Sequence, residues 1–145
     1  MKQNIMKVLL VLVPLLANAE TMRTGSLRWV ERNTGEVLMG TYFTPMGFGP
    51  AELAPHLAAI AAAMALMLAA FSLLLKRPGL GKACKYVCFL GALFAVLPLF
   101  SKGEQMLMPS VAVPIYLLGE FALMGAHLKA EKKEEIPENA LVKTE

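Results

Sequence analysis

The stretch "LAAIAAAMALMLAAFSLLL", residues 57–75, is an unbroken apolar run without a charged side chain. At about 1.5 Å per residue, a helix of this length spans the roughly 30 Å hydrocarbon core of a bilayer. The apolar residues come as one block and not in the rhythm of an amphipathic helix that covers a soluble core. The stretch therefore predicts a transmembrane helix in an all-α integral membrane protein.

The composition of the whole chain agrees with this class. It is 57% hydrophobic and only 17% charged, whereas soluble domains carry about 25% charged residues. The chain has 14 basic and 11 acidic side chains; without Lys2 and Lys7, which lie in the predicted signal peptide described below, 12 basic and 11 acidic side chains remain, so gross charge does not select a partner. We expect contact with the lipid bilayer and no binding of nucleic acid.

Two further apolar blocks predict a second and a third span. Residues 86–100 are shorter than a usual span and need help from Lys85, whose charged end can reach towards the membrane surface. Residues 109–127 are long enough, and membrane helices tolerate a proline such as Pro114. The sequence thus predicts three transmembrane helices.

The amino terminus has the three parts of a secretory signal. "MKQNIMK" is basic, "VLLVLVPLL" is apolar but short, and "ANA" offers small residues at the positions that a signal peptidase reads. This pattern predicts a signal peptide over residues 1–19 that is cleaved after Ala19. An uncleaved first anchor is the alternative.

The connections predict the orientation, because lysine and arginine accumulate in cytoplasmic loops. The loop 76–85 is basic and without an acid, the loop 101–108 has Lys102 against Glu104, and the tail 128–145 begins with lysines. The first loop and the tail are therefore predicted in the cytoplasm and the second loop outside. A multi-pass protein of the cell membrane, with its mature amino terminus outside, follows, and the short signal and compact loops favour a bacterial inner membrane.

Residues 20–56 form the one sizeable external segment. "SLRWVE" and "EVLMGTYF" read as two short strands, and Gly35 between them can take the left-handed conformation that a hairpin loop requires. A lone hairpin is marginal in water, so aromatic side chains are expected to anchor it in the membrane interface or on a partner subunit. These are Trp29, Tyr42, Phe43 and Phe48.

The third predicted span contains the most informative polar residues. Glu120 lies well inside the apolar run, and Tyr116 and His127 share its helix face. An ionisable residue inside a membrane is costly and usually faces protein or water, where it marks a pathway or a pair. Tyr116, Glu120 and His127 are therefore predicted to form an intramembrane polar stripe.

Three roles fit this stripe, and the sequence leaves them open. Glu120 can be a structural group that accepts a hydrogen bond from Tyr116 or pairs with Lys85 or Arg77. It can take up and release a proton, with His127 as a relay at the cytoplasmic mouth. It can also meet a polar residue of another membrane subunit.

Cys84 and Cys88 lie four apart and share a helix face. A thiol pair can bind a soft metal or act in redox chemistry, but buried cysteines are commonly small hydrophobic residues, and helical geometry disfavours a disulfide between these two. No metal site and no cofactor is predicted from them.

The function classes follow from these observations. Many small residues in the spans indicate close helix contacts, in a homo-oligomer or with other membrane subunits. No nucleophile set, phosphate loop or dinucleotide motif is present, so nothing favours an enzyme. The sequence predicts an accessory or assembly subunit of a membrane complex; the alternative is a small ion- or proton-coupled transporter or channel formed by oligomerisation around Glu120.

Overall fold

The computed structural model describes residues 2–31, 34–45, 53–100 and 107–141. The described part of the chain is mostly helical, with one small sheet. Its elements are, in order, α1 (Lys2–Met22), β1 (Leu27–Val30), β2 (Val37–Gly40), α2 (Leu53–Leu75), α3 (Pro78–Val96) with a 3₁₀ turn (Leu97–Phe100), β3 (Leu107–Pro109) and α4 (Ala112–Leu141).

The four helices form one antiparallel bundle. Neighbouring pairs are α1 with α2, α2 with α3, α3 with α4, and α4 with α1. Buried residues recur at alternating spacings of three and four, the pattern of helices that pack at a shallow angle. These seams are Leu10, Pro14, Ala17 and Thr21 in α1, Pro55, Ala58, Ala62, Ala65, Ala69 and Ser72 in α2, Gly81, Cys84, Cys88, Gly91 and Ala95 in α3, and Val113, Leu117, Glu120, Met124 and His127 in α4.

Small side chains allow α2 and α3 to approach closely. A Cβ atom added at Gly91 would lie 2.7 Å from the Cβ of Ala61, and one added at Gly81 would lie 3.1 Å from the hydroxyl oxygen of Ser72. The chain thus uses its alanines and glycines within its own bundle. They do not by themselves indicate the homo-oligomer that the sequence suggested.

Among the described residues, three helices are long and apolar enough to cross a membrane: Gln3–Met22, Leu53–Leu75 and Pro78–Phe100. These three helices indicate a multi-pass membrane protein. The predicted spans 57–75 and 86–100 lie within two of them. The predicted third span, 109–127, is not among the three, because α4 begins only at Ala112 and carries Glu120 and His127 along its apolar half.

Two connections differ from the predicted ones. Most of the predicted basic loop 76–85 is helical, since α3 begins at Pro78, and proline suits a first helical turn. The link is therefore the exposed pair Lys76 and Arg77, with Lys76 in a left-handed conformation (φ 51°). Of the predicted loop 101–108, only Leu107 and Met108 are described, and both belong to β3.

The predicted hairpin is confirmed. β1 and β2 pair antiparallel, Trp29 lies opposite Leu38, and Gly35 has a φ of 70°. The sequence did not predict that β3, from the link between α3 and α4, pairs with the other edge of β1 to give the order β2-β1-β3. The sheet thus joins two connections of the bundle.

The aromatic residues of this segment mostly support the sheet from within the protein. Trp29 is 7% exposed and Tyr42 is fully buried. The Tyr42 hydroxyl donates a hydrogen bond to the carbonyl oxygen of Ser110, at 3.2 Å, and burial raises the pKa of Tyr42, which keeps the phenol protonated. Phe43 is half-exposed beside the ring of His56, and Phe48 lies outside the described residues. An anchor in the membrane interface is therefore not needed for Trp29 and Tyr42.

The predicted signal peptide forms most of α1, which is packed as a full member of the bundle. The Asn18 side-chain amide donates to the carbonyl oxygens of Pro14 (2.8 Å) and of Ala62 in α2 (2.9 Å). The backbone carbonyl of Thr21 accepts a bond from the amide of Tyr42, at 3.0 Å. Cleavage after Ala19 stays a prediction, and in the described arrangement this helix buries one side of both α2 and α4.

Candidate ion-binding site in the bundle core

Glu120 lies on the buried seam of α4, one turn from Leu117 and one turn from Met124. Its exposed fraction is 0%. The helical register places Glu120 on the buried face of α4. Residues three and four apart share one helix face, and the face with Leu117 and Met124 is the apolar one. The carboxylate is therefore held in the interior by the packing of its neighbours along the helix.

The contacts of the neighbouring glycines show what surrounds Glu120. Along the bundle axis, Gly81 of α3 lies at the height of Met124 and Leu128 of α4, and Gly91 of α3 lies at the height of Leu117. Glu120 lies between these two heights, where α3 carries Cys84 and Cys88. On the other side of α4, a Cβ atom added at Gly119 would lie 4.0 Å from Val13 of α1. Glu120 is thus buried in a stretch of α4 that packs against both α1 and α3.

Neither carboxylate oxygen of Glu120 has a hydrogen-bond partner among the described residues. The predicted partners are engaged or placed elsewhere. Tyr116 is half-buried and forms no hydrogen bond with Glu120, Arg77 is exposed just ahead of α3, and the Lys85 amino group lies 4.7 Å from the centre of the Phe121 ring. This cation–π contact stabilises the charged amino group of Lys85. Glu120 is therefore left without a partner among the described residues.

His127 occupies the same seam as Glu120, about two turns further along α4. It is 8% exposed, and its Nε2 atom lies 3.3 Å from an Oε1 atom of Glu131. Met124, which is fully buried, lies between His127 and Glu120. The structure thus brings two members of the predicted stripe to one seam, whereas Tyr116 lies beside the seam.

An open cavity of about 80 Å³ adjoins His127 at the basic end of the bundle, where α1 begins and α2 turns into α3. Its walls come from the first turns of α1 and the end of the seam in α4. They are formed by Gln3, Met6, Lys7, His127, Ala130 and Glu131.

The two cysteines are free thiols and are fully buried. The Cys84 sulfur donates weakly to the carbonyl oxygen of Ala65, at 3.5 Å, and lies 4.0 Å from the Cys88 sulfur. Both are within electrostatic range of Glu120. No group of three or more His, Cys, Asp or Glu side chains in the described part of the chain is arranged to hold a metal ion.

Sequence reasoning missed the polar residues that α1 contributes. Besides Asn18, the Glu20 carboxylate accepts bonds from the hydroxyl of Ser110 (2.7 Å) and from Arg23 (2.6 Å), and so ties the end of α1 to the start of α4. The available signal was the polar pair Asn18 and Glu20 directly after an apolar run. A helix that continues past that run places both residues where they can bind neighbouring helices.

No family model matches the chain, and it is similar to no curated protein and to no solved structure. The function must therefore be argued from the site itself.

Proposed function

We propose that this protein is a small integral membrane protein that binds and releases protons at Glu120 and acts as a proton-coupled transporter or channel. One observation carries the proposal: the Glu120 carboxylate is fully buried and has no hydrogen-bond partner among the described residues. An ionised carboxylate without a partner in such a place costs several kcal/mol, on the order of the penalties for buried ions. Glu120 is therefore held as a neutral acid in this packing and ionises only when water reaches it.

The site belongs to a single protomer in this proposal. Glu120 is enclosed by helices of its own chain, which does not favour a site on an axis between copies or a direct contact with another subunit. This differs from the oligomeric channel that the sequence suggested. An ionisable group inside a membrane bundle is by default a functional candidate, and here α1, α3 and α4 supply its surroundings.

The proposal includes α1 as a permanent helix of the bundle. Its buried seam and the bond from Asn18 to Ala62 support retention after synthesis. The protein then has four membrane helices, of which α4, the most polar, is shielded by α1 and α3. A polar helix can be stable in lipid when its polar face is turned to other helices.

The orientation of this four-helix protein follows from its basic end. Lysine and arginine residues cluster there, at the start of α1, at the link before α3 and on α4 beyond His127, and by the positive-inside rule this end faces the cytoplasm. Both termini are then cytoplasmic and the sheet is outside. We propose the bacterial inner membrane as the location of this protein. The residues are Lys2, Lys7, Lys76, Arg77, Lys82, Lys85, Lys129, Lys132 and Lys133.

Proton flux into liposomes that contain the purified protein tests this function. Glu120→Gln keeps the size of the side chain and removes the titrating proton, so we expect flux to fall to the level of empty liposomes. Glu36→Gln is the matched control, since Glu36 is exposed beside β2. Equal flux in wild type and Glu120→Gln, or none in any sample, would reject proton transport.

A second candidate, an accessory or assembly subunit, is favoured by the outer face of the sheet. In register across the three strands, Arg28 lies between Met39 and Met108. Met39 and Met108 are 56% and 44% exposed, and Val37 is 58% exposed. Exposed methionine beside arginine is typical of protein interfaces.

Isolation of the protein by a carboxy-terminal tag in mild detergent, followed by native mass measurement, tests this second function. An accessory subunit is expected to retain larger membrane proteins in a fixed ratio, and Met39→Asn is expected to release them while Met64→Asn, on the lipid-facing side of α2, is not. A protein that is isolated alone and is unaffected by either change would count against it.

A further inference from the structure

The surroundings of Glu120 differ sharply in the two directions along the bundle. Towards the sheet, the α4 seam continues with Leu117 and Val113, both apolar and fully buried. Of the polar side chains on that side, Tyr116 lies beside the seam and forms no hydrogen bond with Glu120, and Asn18 of α1 donates both amide hydrogens to carbonyl oxygens. Towards the basic end, the same seam continues with Met124 and then His127, which lines the open cavity.

Met124 is the residue of the α4 seam between Glu120 and His127, which lines this cavity. Along α4, the distance from Glu120 to His127 is about 10 Å at 1.5 Å per residue, and Met124 fills the turn between them. The Met124 sulfur packs against Gly81, 3.1 Å from the position of an added Cβ atom. A methionine is flexible and readily changes rotamer, so Met124 is the adaptable side chain in this turn of the seam.

We propose that the cavity at the basic end is the entry path for protons to Glu120, with His127 as the relay and Met124 as the closing layer. The inference rests on the proposed proton binding at Glu120. His127 takes a proton from water in the cavity and passes it, through water admitted when Met124 moves, to a carboxylate oxygen of Glu120. Return of the proton to the cytoplasmic side follows the same steps in reverse. Release to the other side, which transport requires, needs a rearrangement of the apolar packing at Leu117 and Val113.

The width of this path fits a proton better than a larger cation. The cavity wall carries both a cation, Lys7, and a carboxylate, Glu131, so its charge does not distinguish one cation from another. The path itself is narrow, since a fully buried methionine and a glycine meet across it. The titratable and charged groups of the described elements around the path are Lys7 of α1, Cys84, Lys85 and Cys88 of α3, and His127 and Glu131 of α4.

Hydrogen–deuterium exchange of the Glu120 carboxyl group, followed by infrared spectroscopy of the full-length protein in lipid, tests the path. The carbonyl stretch of the protonated acid is assigned by its loss in Glu120→Gln. We expect Met124→Ala to speed exchange at least about tenfold, because it opens the turn between Glu120 and His127. We expect His127→Phe to slow exchange at least about tenfold, since a positioned acid–base group contributes about 10²–10⁴-fold. Leu117→Ala, on the sheet side of Glu120, is the matched control and is expected to change the rate less than about twofold.

Different outcomes reject different parts of the argument. If no acid band depends on Glu120, the proposed proton binding is wrong. If the band is present but Leu117→Ala speeds exchange as much as Met124→Ala, or His127→Phe leaves the rate unchanged, proton binding stands and the entry path is wrong. Met124→Leu, which keeps the bulk of the layer, is expected to exchange at the wild-type rate, so a general loosening of the bundle can be recognised.

Discussion

At the scale of single residues, burial in this bundle is decided by helix position and not by polarity. Glu120 is buried because it occupies the seam position of α4 between Leu117 and Met124. His127 is buried because it occupies the next seam position after Met124. Glycine and alanine at the facing positions of neighbouring helices bring these helices close together. A seam side chain therefore has no room to point away from the interior. The same closeness that hides Glu120 also makes the small residues around it hard to replace.

Gly91 provides a direct test of this close packing. An alanine there would place its Cβ 2.7 Å from Ala61 and 3.1 Å from Leu117, so α3 must move away from both neighbouring helices. We expect Gly91→Ala to lower the free energy of unfolding by about 1–3 kcal/mol, the usual cost of overpacking a core.

Denaturation in detergent micelles, followed by circular dichroism, measures this loss. Gly79→Ala is the matched control in the same helix: its added Cβ meets nothing within 4 Å, and alanine is the better helix former, so its stability should stay equal or rise. Similar losses in both variants would show that the α2–α3 contact is not close.

At the scale of elements, the sequence predicted those parts whose signal is local. The apolar runs marked α2 and α3, and Gly35 between two alternating segments marked the hairpin. β3 has no such signal, since its three residues become a strand only by pairing with β1. Likewise, the absence of a partner for Glu120 could not be predicted, because Lys85 is within reach by sequence but lies over Phe121 instead.

The helix α1 is the element in which local and tertiary signals disagree. A basic start, a short apolar run and "ANA" are all that a signal peptidase needs to recognise, and they predicted a removed segment. The tertiary contacts, by contrast, make α1 a neighbour of α4, the helix that carries Glu120, and a wall of the cavity at the basic end. Signal-like composition cannot distinguish these two fates, because an amino-terminal anchor helix has the same three parts.

At the scale of the whole molecule, the decisive question is whether the protein in the membrane has α1. With α1 retained, all three helices that are long and apolar enough to span a membrane are present in the described part of the chain, and α4 completes the bundle in which Glu120 is buried. Without α1, α2 loses the hydrogen bond from Asn18 to Ala62, and α4 loses the cover of Val13 over Gly119. The contacts of α1 therefore favour retention for a structural reason that is independent of transport.

The intact mass of the protein purified from membranes by a carboxy-terminal tag tests retention, and we expect it to include residues 1–19. We also expect Asn18→Leu to destabilise the purified protein by about 1 kcal/mol, because the carbonyl oxygen of Ala62 loses its donor, while Asn4→Leu, at an exposed site of the same helix, does not. A measured mass that matches a chain starting at Glu20 would show that α1 is removed. The mature protein would then lack residue 18, and the substitution there could not change its stability. It would also lack the cavity at the basic end, which depends on Gln3, Met6 and Lys7.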